Sequence, residues 1–552
     1  MRTRLLIALL PVLLPPAVAA QQVEVIPALP DSVAEHVLGI YNRAGTVRLT
    51  GETHIAAGTA LLGDVAVLNG PLRIDGRVDG RVVLINGDIV LGALAHVTGE
   101  VIATGGSIQL EPGARADAAL TAYREPLRFR YQDGGLVFVP PDLERGLSAG
   151  RDWPFGRGDV LIATRGAYNR VEGLPIGFGP RLRLGGSNPT RIHAFAVYRT
   201  TAGLTLNPDE FGYDAGIDQQ LGVPGLSARL GLFSQIDEIE SWQISDRESS
   251  LATFLLHRDY RDHYERVGWD FGVRMARPDL PYSVALTFRD ERHESVRPRS
   301  PWSLLDNDEP WRPQPIVAEG TLRTLMLELG YDTRNEPADP SWGWLVNASL
   351  EQGVGGSLQL PIAAPGAASA RTGFTTASLD LRRYARLSPY ARLAVRALAA
   401  GSVDGSALPP QRQHALGGEG SLPAFPLLRF DCAARAAPLA VPGDSVYPHY
   451  GCDRMALVQL EYQASFPFAL RLGDVIGLRS GFTNAVRWSA FFNAGRAWTE
   501  ADARDGRGGG SADFSADVGL GIRIGALGIY WAVPLSGGAD GINFFVRIGP
   551  RL

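Results

Sequence analysis

The residues best suited to chemistry are two histidines that bracket two aspartates. His257 and His263 flank Asp259 and Asp262, and imidazole with carboxylate is a donor set found in metal sites and in acid–base pairs. The same residue types also occur on solvated strand ends and loops, which is the interpretation we favour. A polar loop rim is likewise expected for a second charged cluster, Asp290, Glu291 and Arg292.

Two cysteines are the second candidate. Cys432 and Cys452 lie twenty residues apart in a stretch rich in Pro, Gly and Ala. In an exported protein a disulfide is the expected pairing, and closing a loop of that size would stabilise the fold by about 3 kcal/mol. Two buried free thiols are the alternative. Metal binding is less favoured, because nearby His449 supplies only one further ligand.

Enzymatic motifs are missing from the sequence. It contains no Walker loop, His-Glu-x-x-His pair or dinucleotide fingerprint. We therefore expect no catalytic residue, no metal and no cofactor, and we expect that the chain is not an enzyme. A net charge of -5 argues against nucleic acid as a partner.

The first twenty residues have the layout of a cleavable secretory signal. Arg2 and Arg4 precede the apolar run 5–14, and small residues then lead into Gln21. A short membrane anchor is the alternative. Beyond residue 20, no stretch approaches the ~18 to 20 apolar residues of a membrane-spanning helix. Any further passage through a bilayer would therefore use a closed barrel.

Residues 45–117 form a repeat. A glycine opens each run of β-branched and aliphatic residues, at positions 45, 63, 80 and 99. Each unit is too small to bury its own apolar face, so stacked coils of a β-solenoid are expected. The stretch resembles the bactofilin, or polymer-forming cytoskeletal, repeat, which implies an assembly or docking module. A capped periplasmic spacer is the alternative. Residues 21–44 form an N-terminal segment, and residues 118–155 look like a connector.

Residues 156–552 carry the pattern of a transmembrane barrel. Segments of about ten residues alternate in polarity between clusters of Gly, Pro, Asn and Asp, and about 25 residues per strand give roughly 16 antiparallel strands. Near residue 460 the apolar face is Val458, Leu460, Tyr462 and Ala464, and the polar face is Gln459, Glu461, Gln463 and Ser465. The last eleven residues read as a membrane-facing strand whose apolar face is Ile542, Phe544, Val546, Ile548, Pro550 and Leu552. A secreted β-rich carbohydrate enzyme is the soluble alternative.

Four motifs in this part of the chain occur in the order of one family. They are Tyr168–Leu174, Tyr331–Asn335 with the following Pro340 and Gly343, Leu416–Ser421, and Phe491–Trp498. Together they resemble the bacterial surface antigen superfamily, which includes outer-membrane protein assembly factors and two-partner secretion translocators. The resemblance covers residues 156–552. It implies that Tyr168–Leu174 opens the barrel and that Leu416–Ser421 begins a long sixth extracellular loop.

The chain departs from this family at the loop tip. In the family an arginine of the tip pairs with an aspartate of a later strand, whereas here Pro423 and Asn493 take those two positions. Losing both partners together avoids an unpaired buried charge, and it removes the expected anchor of the loop. Arg429 is the possible substitute, although an exposed arginine is the interpretation we favour. The degenerate tip and the partner strand comprise Gly417, Gly418, Ser421, Leu422, Pro423, Ala424, Phe425, Asn493 and Gly495.

The resemblance implies insertion or translocation of polypeptides at the outer membrane. Clients would engage a weakly paired seam between residues 159–170 and 542–552, and the solenoid would take the place of periplasmic transport-associated domains. The expected partners are outer-membrane lipid and outer-membrane protein clients or periplasmic proteins, with self-association through the solenoid. The alternative is a closed, plugged barrel that anchors a solenoid scaffold at the membrane.

Overall fold

The protein divides into two compact units, residues 1–139 and 140–552. The computed structural model describes residues 23–26, 29–127, 129–132, 135–138, 146–153, 156–185, 188–202, 210–223, 225–277, 280–305, 308–334, 339–360, 370–388, 391–432, 439–441, 444–446, 451–465, 486–499, 514–536 and 541–552. The expected signal peptide, residues 1–20, and His449 lie outside the described residues.

The first unit is the predicted β-solenoid. Its strands are β1 Glu24–Ile26, β2 Val47–Thr50, β3 Thr53–Ile55, β4 Ala60–Leu62, β5 Val65–Leu68, β6 Leu72–Ile74, β7 Arg77–Asp79, β8 Val82–Ile85, β9 Ile89–Leu91, β10 His96–Val97, β11 Val101–Thr104, β12 Ile108–Leu110, β13 Arg115–Ala116, β14 Leu120–Tyr123, β15 Phe129–Gln132 and β16 Gly135–Phe138. Three parallel sheets run in the orders β1-β14-β11-β8-β5-β2, β13-β10-β7-β4 and β12-β9-β6-β3. Each coil therefore gives one strand to each sheet, and β14 and β1 extend the stack beyond the predicted range.

The repeated glycines mark corners where coils stack in direct backbone contact. A Cβ added at Gly80 would lie 2.3 Å from the carbonyl oxygen of Gly63, and one added at Gly99 would lie 2.6 Å from the carbonyl carbon of Gly80. No side chain fits between backbones this close. The spacing seen in the sequence is thus the length of one coil.

The six-stranded sheet is covered on both faces. Val65 and Val67 point into the solenoid core. Ala66 and Leu68 point the other way, against helix α1 (Asp31–Asn42) and the β15–β16 hairpin. A sheet buried on both faces reads as a continuous apolar run rather than an alternating one, which explains the composition of β5, β8 and β11.

The second unit is built on one 17-stranded antiparallel sheet, consistent with a barrel. Its strands are β17 Gly146–Trp153, β18 Gly156–Thr164, β19 Pro175–Leu184, β20 Thr190–Arg199, β21 Phe211–Gln220, β22 Leu226–Glu238, β23 His263–Ala276, β24 Tyr282–Ser295, β25 Glu319–Asp332, β26 Gly343–Gln359, β27 Thr375–Ser388, β28 Ala391–Ser402, β31 Arg454–Ser465, β32 Val486–Trp498, β33 Ser515–Ile524, β34 Leu527–Pro534 and β35 Asn543–Ile548. Sheet order follows chain order, and a separate hairpin of β29 (Leu439–Val441) and β30 (Asp444–Val446) lies between β28 and β31.

The faces of this sheet are inverted relative to a soluble protein. Apolar side chains are exposed on one face, among them Val160, Ile162, Leu230, Phe271, Leu286, Leu329, Leu379, Val458, Ile522 and Phe544. Polar side chains are buried on the other, among them Asp159, Glu291, Glu351, Arg396, Gln459, Glu461, Asn493, Asp517 and Arg547. This pattern belongs to a barrel with a lipid-facing exterior and a polar lumen.

Two short helices complete the described chain, α1 and α2 (Asp246–Leu256). In the part of the chain that the structure describes, neither is long and apolar enough to cross a membrane. Most connections are short at one end of the barrel strands and long at the other. Short ones such as 221–225 and 277–281 lie at one end of the strands, and long ones such as 239–262 and 403–453 lie at the other.

Four sequence expectations are corrected by the fold. Residues 146–153, assigned to the connector, form β17 of the barrel sheet. Tyr168–Leu174 lies in the turn between β18 and β19 rather than in a strand, so the first seam boundary shortens to Gly156–Thr164. The last strand ends at Ile548, and Leu552 is buried instead of facing lipid. The cluster 290–292 lies within β24, where Glu291 faces the lumen, instead of on a loop rim.

Candidate functional site in the barrel interior

A buried charge cluster holds the first loop of the barrel. Arg170, in the turn after β18, is fully buried, and its guanidinium lies 3.2 Å from Asp259 and 2.5 Å from Asp262. Arg312 adds a second cation 2.8 Å from Asp262, and His263 lies 3.1 Å from Asp259. Three separate loops therefore meet through one set of ion pairs. The attraction between these opposite charges offsets the cost of removing them from water.

This cluster changes the interpretation of the histidine–aspartate motif. Asp259, Asp262 and His263 are buried rather than solvated, and His257 is stacked instead on Trp311 with ring centroids 3.6 Å apart. Burial alone would raise the pKa of Asp259, but His263 and Arg170 hold that pKa below its ordinary value. In the described residues no group of His, Cys, Asp and Glu has the arrangement of a metal site.

Helix α2 is fastened to the last strand through one glutamate. Glu248 closes a capping box with Ser245 at the start of the helix. The same carboxylate accepts from Arg547 of β35 at 2.7 and 3.1 Å and from the Ile548 backbone N–H at 2.6 Å. A helix from the third long loop thus holds the strand that ends the sheet.

The tip of the sixth long loop, residues 403–453, is docked on the inner wall. The Ala424 backbone N–H donates to Asp517 at 3.1 Å, and the Ser421 carbonyl accepts from Gln459 at 3.1 Å. Pro423 offers its carbonyl oxygen to the side chain of Asn543. Gly417 cannot carry a side chain here, because its φ is +121° and an added Cβ would lie 2.4 Å from the Pro426 carbonyl oxygen. Its N–H donates to the Ser421 hydroxyl at 2.9 Å. The tip is therefore anchored by backbone groups, although it lacks the family's arginine.

An arginine from another segment occupies the neighbourhood of the missing one. Arg551, which follows β35, donates to the Asn493 amide oxygen at 2.9 Å, and Asn493 in turn donates to Asp517 at 2.6 Å. The guanidinium of Arg551 also lies 3.9 Å from the centroid of the Phe491 ring. A cation therefore lies beside Asn493, and it comes from the residues after β35 and not from the loop tip. Arg429 is exposed, as expected.

The rest of the tip packs as an apolar plug. Leu422 and Phe425 are buried, and Phe425 meets Phe430 edge-on at 4.9 Å. Gly495 lies beneath Leu416, because a Cβ added there would be 2.9 Å from the leucine side chain. Gly418 adopts a φ of +89°, which glycine allows at the turn into the tip.

The base of the same loop is held by Arg412, and the two cysteines of the loop are paired with each other. Arg412 forms a paired contact with Glu351 of β26 at 2.9 and 3.1 Å and lies 3.0 Å from the Tyr264 hydroxyl. Cys432 and Cys452 form a disulfide with Cα atoms 5.0 Å apart. Loop 403–453 is thus tied to the barrel at its base and at its tip.

A family profile described as the Omp85 superfamily domain matches residues 256–536. That range is just over half of the 552-residue chain. The chain belongs to the Omp85 superfamily. The resemblance to the bacterial surface antigen superfamily is thereby confirmed, and an outer-membrane location follows for the barrel.

Two solved structures illustrate what this chain is similar to. BamA from Haemophilus ducreyi lacking POTRA domains 1–3 shares 15% identity at a TM-score of 0.43, covering 73% of this chain and 70% of that one. CdiB from Escherichia coli shares 13% identity at a TM-score of 0.32, covering 77% and 67%. Both likenesses are loose. A search of curated proteins gives no match.

Sequence reasoning on this Omp85 chain missed Arg170, Glu248, Asp517 and Arg551 as interior contacts. One signal for Arg551 was present, because it lies on the polar face of the last segment together with Asn543 and Arg547. Its role could not be found from that pattern, since the segment leaves the strand after Ile548 and turns toward residues far away in the sequence.

Proposed function

We propose that this barrel assists the insertion or translocation of polypeptides at the outer membrane, working at the seam between β18 and β35. Membership of the Omp85 superfamily supports the general role. The observation that carries the seam assignment is the inequality of its two strands. β18 has nine residues, whereas β35 has six and lies at the end of the sheet. The edge of β18 that faces β35 is paired with β17 in the structure, and the six residues of β35 offer few backbone groups to any partner strand.

Contacts inside the barrel hold β35, the shorter strand of the proposed seam. Glu248 of α2 binds Arg547 in β35, and the loop tip binds Asn543 in the same strand. Helix α2 and the loop tip therefore both bind β35. The solenoid takes the place that the resemblance gives to periplasmic transport-associated domains, and on that ground we propose that it lies in the periplasm. No enzymatic step is proposed.

The test is a folding assay in lipid vesicles. An unfolded small outer-membrane barrel is added to vesicles that hold this protein, to empty vesicles and to vesicles that hold an unrelated porin. Folding is followed by the shift of the client band on gels run without boiling. We expect faster client folding only with this protein. Equal rates in all three preparations would refute the proposed function.

A scaffold role is the second candidate, and one observation favours it. Strands β2, β3 and β4 of the first coil each end a solenoid sheet, and edge strands accept further strands. Leu62 in β4 is 79% exposed at this end. If coils stack between molecules, Leu62→Asp should abolish self-association measured by sedimentation.

Leu94→Asp is the matched control, because Leu94 is 74% exposed but lies in an inner coil. If the scaffold role is correct, the Leu94→Asp variant should still self-associate. A wild-type chain that sediments as a monomer at all concentrations would rule the scaffold role out.

A further inference from the structure

The barrel sheet has 17 strands, one more than the roughly 16 that the sequence predicts. The additional strand at its start is β17. Gly146–Trp153 pairs antiparallel with Gly156–Ala163, residue by residue over eight pairs. The opposite edge of β18 is held by β19. The added strand therefore occupies the edge of the first barrel strand that faces the seam.

The fit of β17 on this edge is specific on its inner face. Gly150 lies opposite Asp159, and a Cβ added at Gly150 would be 2.5 Å from the Asp159 Cβ. Asp159 is fixed in turn by Arg181 of β19, at 2.6 and 3.0 Å. A second close fit occurs near the turn, where a Cβ added at Gly158 would be 2.5 Å from the Trp153 ring. Small residues thus stand where the two strands approach most closely.

The outer face of β17 has the character of a membrane strand. Leu147 pairs with Ile162 and Ala149 pairs with Val160, so all four side chains share the lipid-facing side. Leu147 is 78% exposed, and Ala149, Gly150, Arg151 and Trp153 are exposed as well. Because the described side chains of β17 bury little surface, we infer that β17 is held mainly by backbone hydrogen bonds. Such bonds can be exchanged for those of any other strand.

We propose that Gly146–Trp153 is a self-strand that occupies the client-accepting edge of β18, so that a client strand must displace it. The competing partner is an antiparallel strand of an outer-membrane protein. It carries apolar residues on alternate positions, a small residue opposite Asp159 and an aromatic residue near Gly158. This inference rests on the proposed function, because it names the client and the edge at which the client enters.

The first experiment locks the self-strand. Ala149→Cys with Val160→Cys joins two directly paired residues on the outer face. The matched control is Ala228→Cys with Val273→Cys, an Ala/Val pair on the outer face between β22 and β23, away from the seam. In the vesicle assay, oxidation should stop client folding only in the locked variant, and a reductant should restore it. Full client folding with a locked self-strand would overturn the inference.

The second experiment measures edge occupancy without relying on folding activity. Val160→Cys is cross-linked to a client that bears one cysteine in its terminal strand, with residues 146–153 either native or replaced by a Gly/Ser segment of equal length. If the edge is free for about a tenth of the time, removal of the self-strand should raise the cross-linking yield about tenfold. Both proteins are first checked for a heat-modifiable folded band. An unchanged yield would overturn the inference. A raised yield with no client folding by any variant would retain it and refute the proposed function instead.

Discussion

Arg170, Arg547 and Arg551 each hold a different segment against the barrel interior. The sequence contains no lysine, and arginine is the cation best suited to buried pairing, because its planar group binds carboxylates with two parallel hydrogen bonds. Arg547 does this with Glu248, at 2.7 and 3.1 Å. The interior is therefore organised by a few arginines whose removal would leave buried carboxylates without a partner.

Arg170→Ala should strongly destabilise the loop cluster. Removing one partner of a buried ion pair leaves Asp259 and Asp262 under-compensated, and such changes cost about 3 to 5 kcal/mol. The temperature at which the folded gel band is lost should fall clearly. Arg292→Ala is the control, since its side chain is 66% exposed and exposed pairs contribute ~1 kcal/mol or less. Equal thermal losses in both variants would contradict the assigned importance of Arg170.

Arg551→Ala should loosen the tip of the sixth long loop. The change removes the hydrogen bond to Asn493 and the contact with Phe491, a loss of about 2 kcal/mol for a charged hydrogen bond in the interior. Limited proteolysis should then cut near residues 417–425 more rapidly. Arg429→Ala, at an exposed position of the same loop, should leave the cleavage rate unchanged. Identical cleavage of both variants would show that Arg551 does not support the tip.

Glu248 should make the attachment of α2 to β35 sensitive to acid. Burial raises the pKa of Glu248, but Arg547 and the Ile548 N–H lower it by more. The pKa therefore lies below its ordinary value of 4.5. A carboxyl group with a lowered folded pKa stabilises the folded state above its unfolded pKa and loses that contribution as the pH falls through the folded pKa. Hydrogen-exchange protection of α2 should therefore drop in acid below about pH 4 and stay constant above it. In Glu248→Gln this step should be absent, and its persistence would assign the acid sensitivity to another group.

The periodic patterns in the sequence predicted those strands that pair with segments close to them along the chain. The solenoid coils follow from the glycine spacing, and β31 follows from the alternation of residues 458–465. β17 was not predicted, because Gly146 and Gly150 interrupt any apolar alternation and only its pairing with β18 makes it a strand. The docking of Pro423 depends on Asn543, 120 residues away, and no local pattern carries that information.

Stacking of the coils should be disrupted by a single methyl group at a corner. Gly80→Ala places a Cβ 2.3 Å from the Gly63 carbonyl oxygen, so neighbouring coils must separate, which we expect to cost a few kcal/mol, as other overpacking changes do. Gly39→Ala is the control within α1, where nothing lies within 4 Å of the added carbon and alanine favours the helix by roughly 1 kcal/mol. Circular dichroism during urea unfolding should show opposite shifts for the two variants. Shifts of the same sign would contradict direct contact at the corner.

At the scale of the whole barrel, three described elements lie in the lumen of this Omp85 chain. They are helix α2, the loop tip 417–425 and the residues after Ile548. A cavity of about 300 Å³ is lined by Glu248 of α2, by Arg396 of β28 and by Arg551 and Leu552. The loop is fixed to the barrel at its base by Arg412 and at its tip by Asp517, and the disulfide joins two of its own residues. A pore filled in this way does not suit free diffusion of solutes, and it agrees with transport at the seam rather than through an open centre.

Conductance in planar lipid bilayers tests this view of the lumen. The wild-type chain should conduct little, because the loop tip is tied to the wall. Replacing Gly417–Phe425 with a short Gly/Ser turn removes the buried Leu422 and Phe425 and the contact with Asp517, so conductance should rise severalfold. Arg429→Ala should behave as wild type, because Arg429 is exposed. If the wild-type chain already conducts like an open porin, the loop does not fill the pore in the membrane, and the argument from a filled lumen for a seam route would be lost.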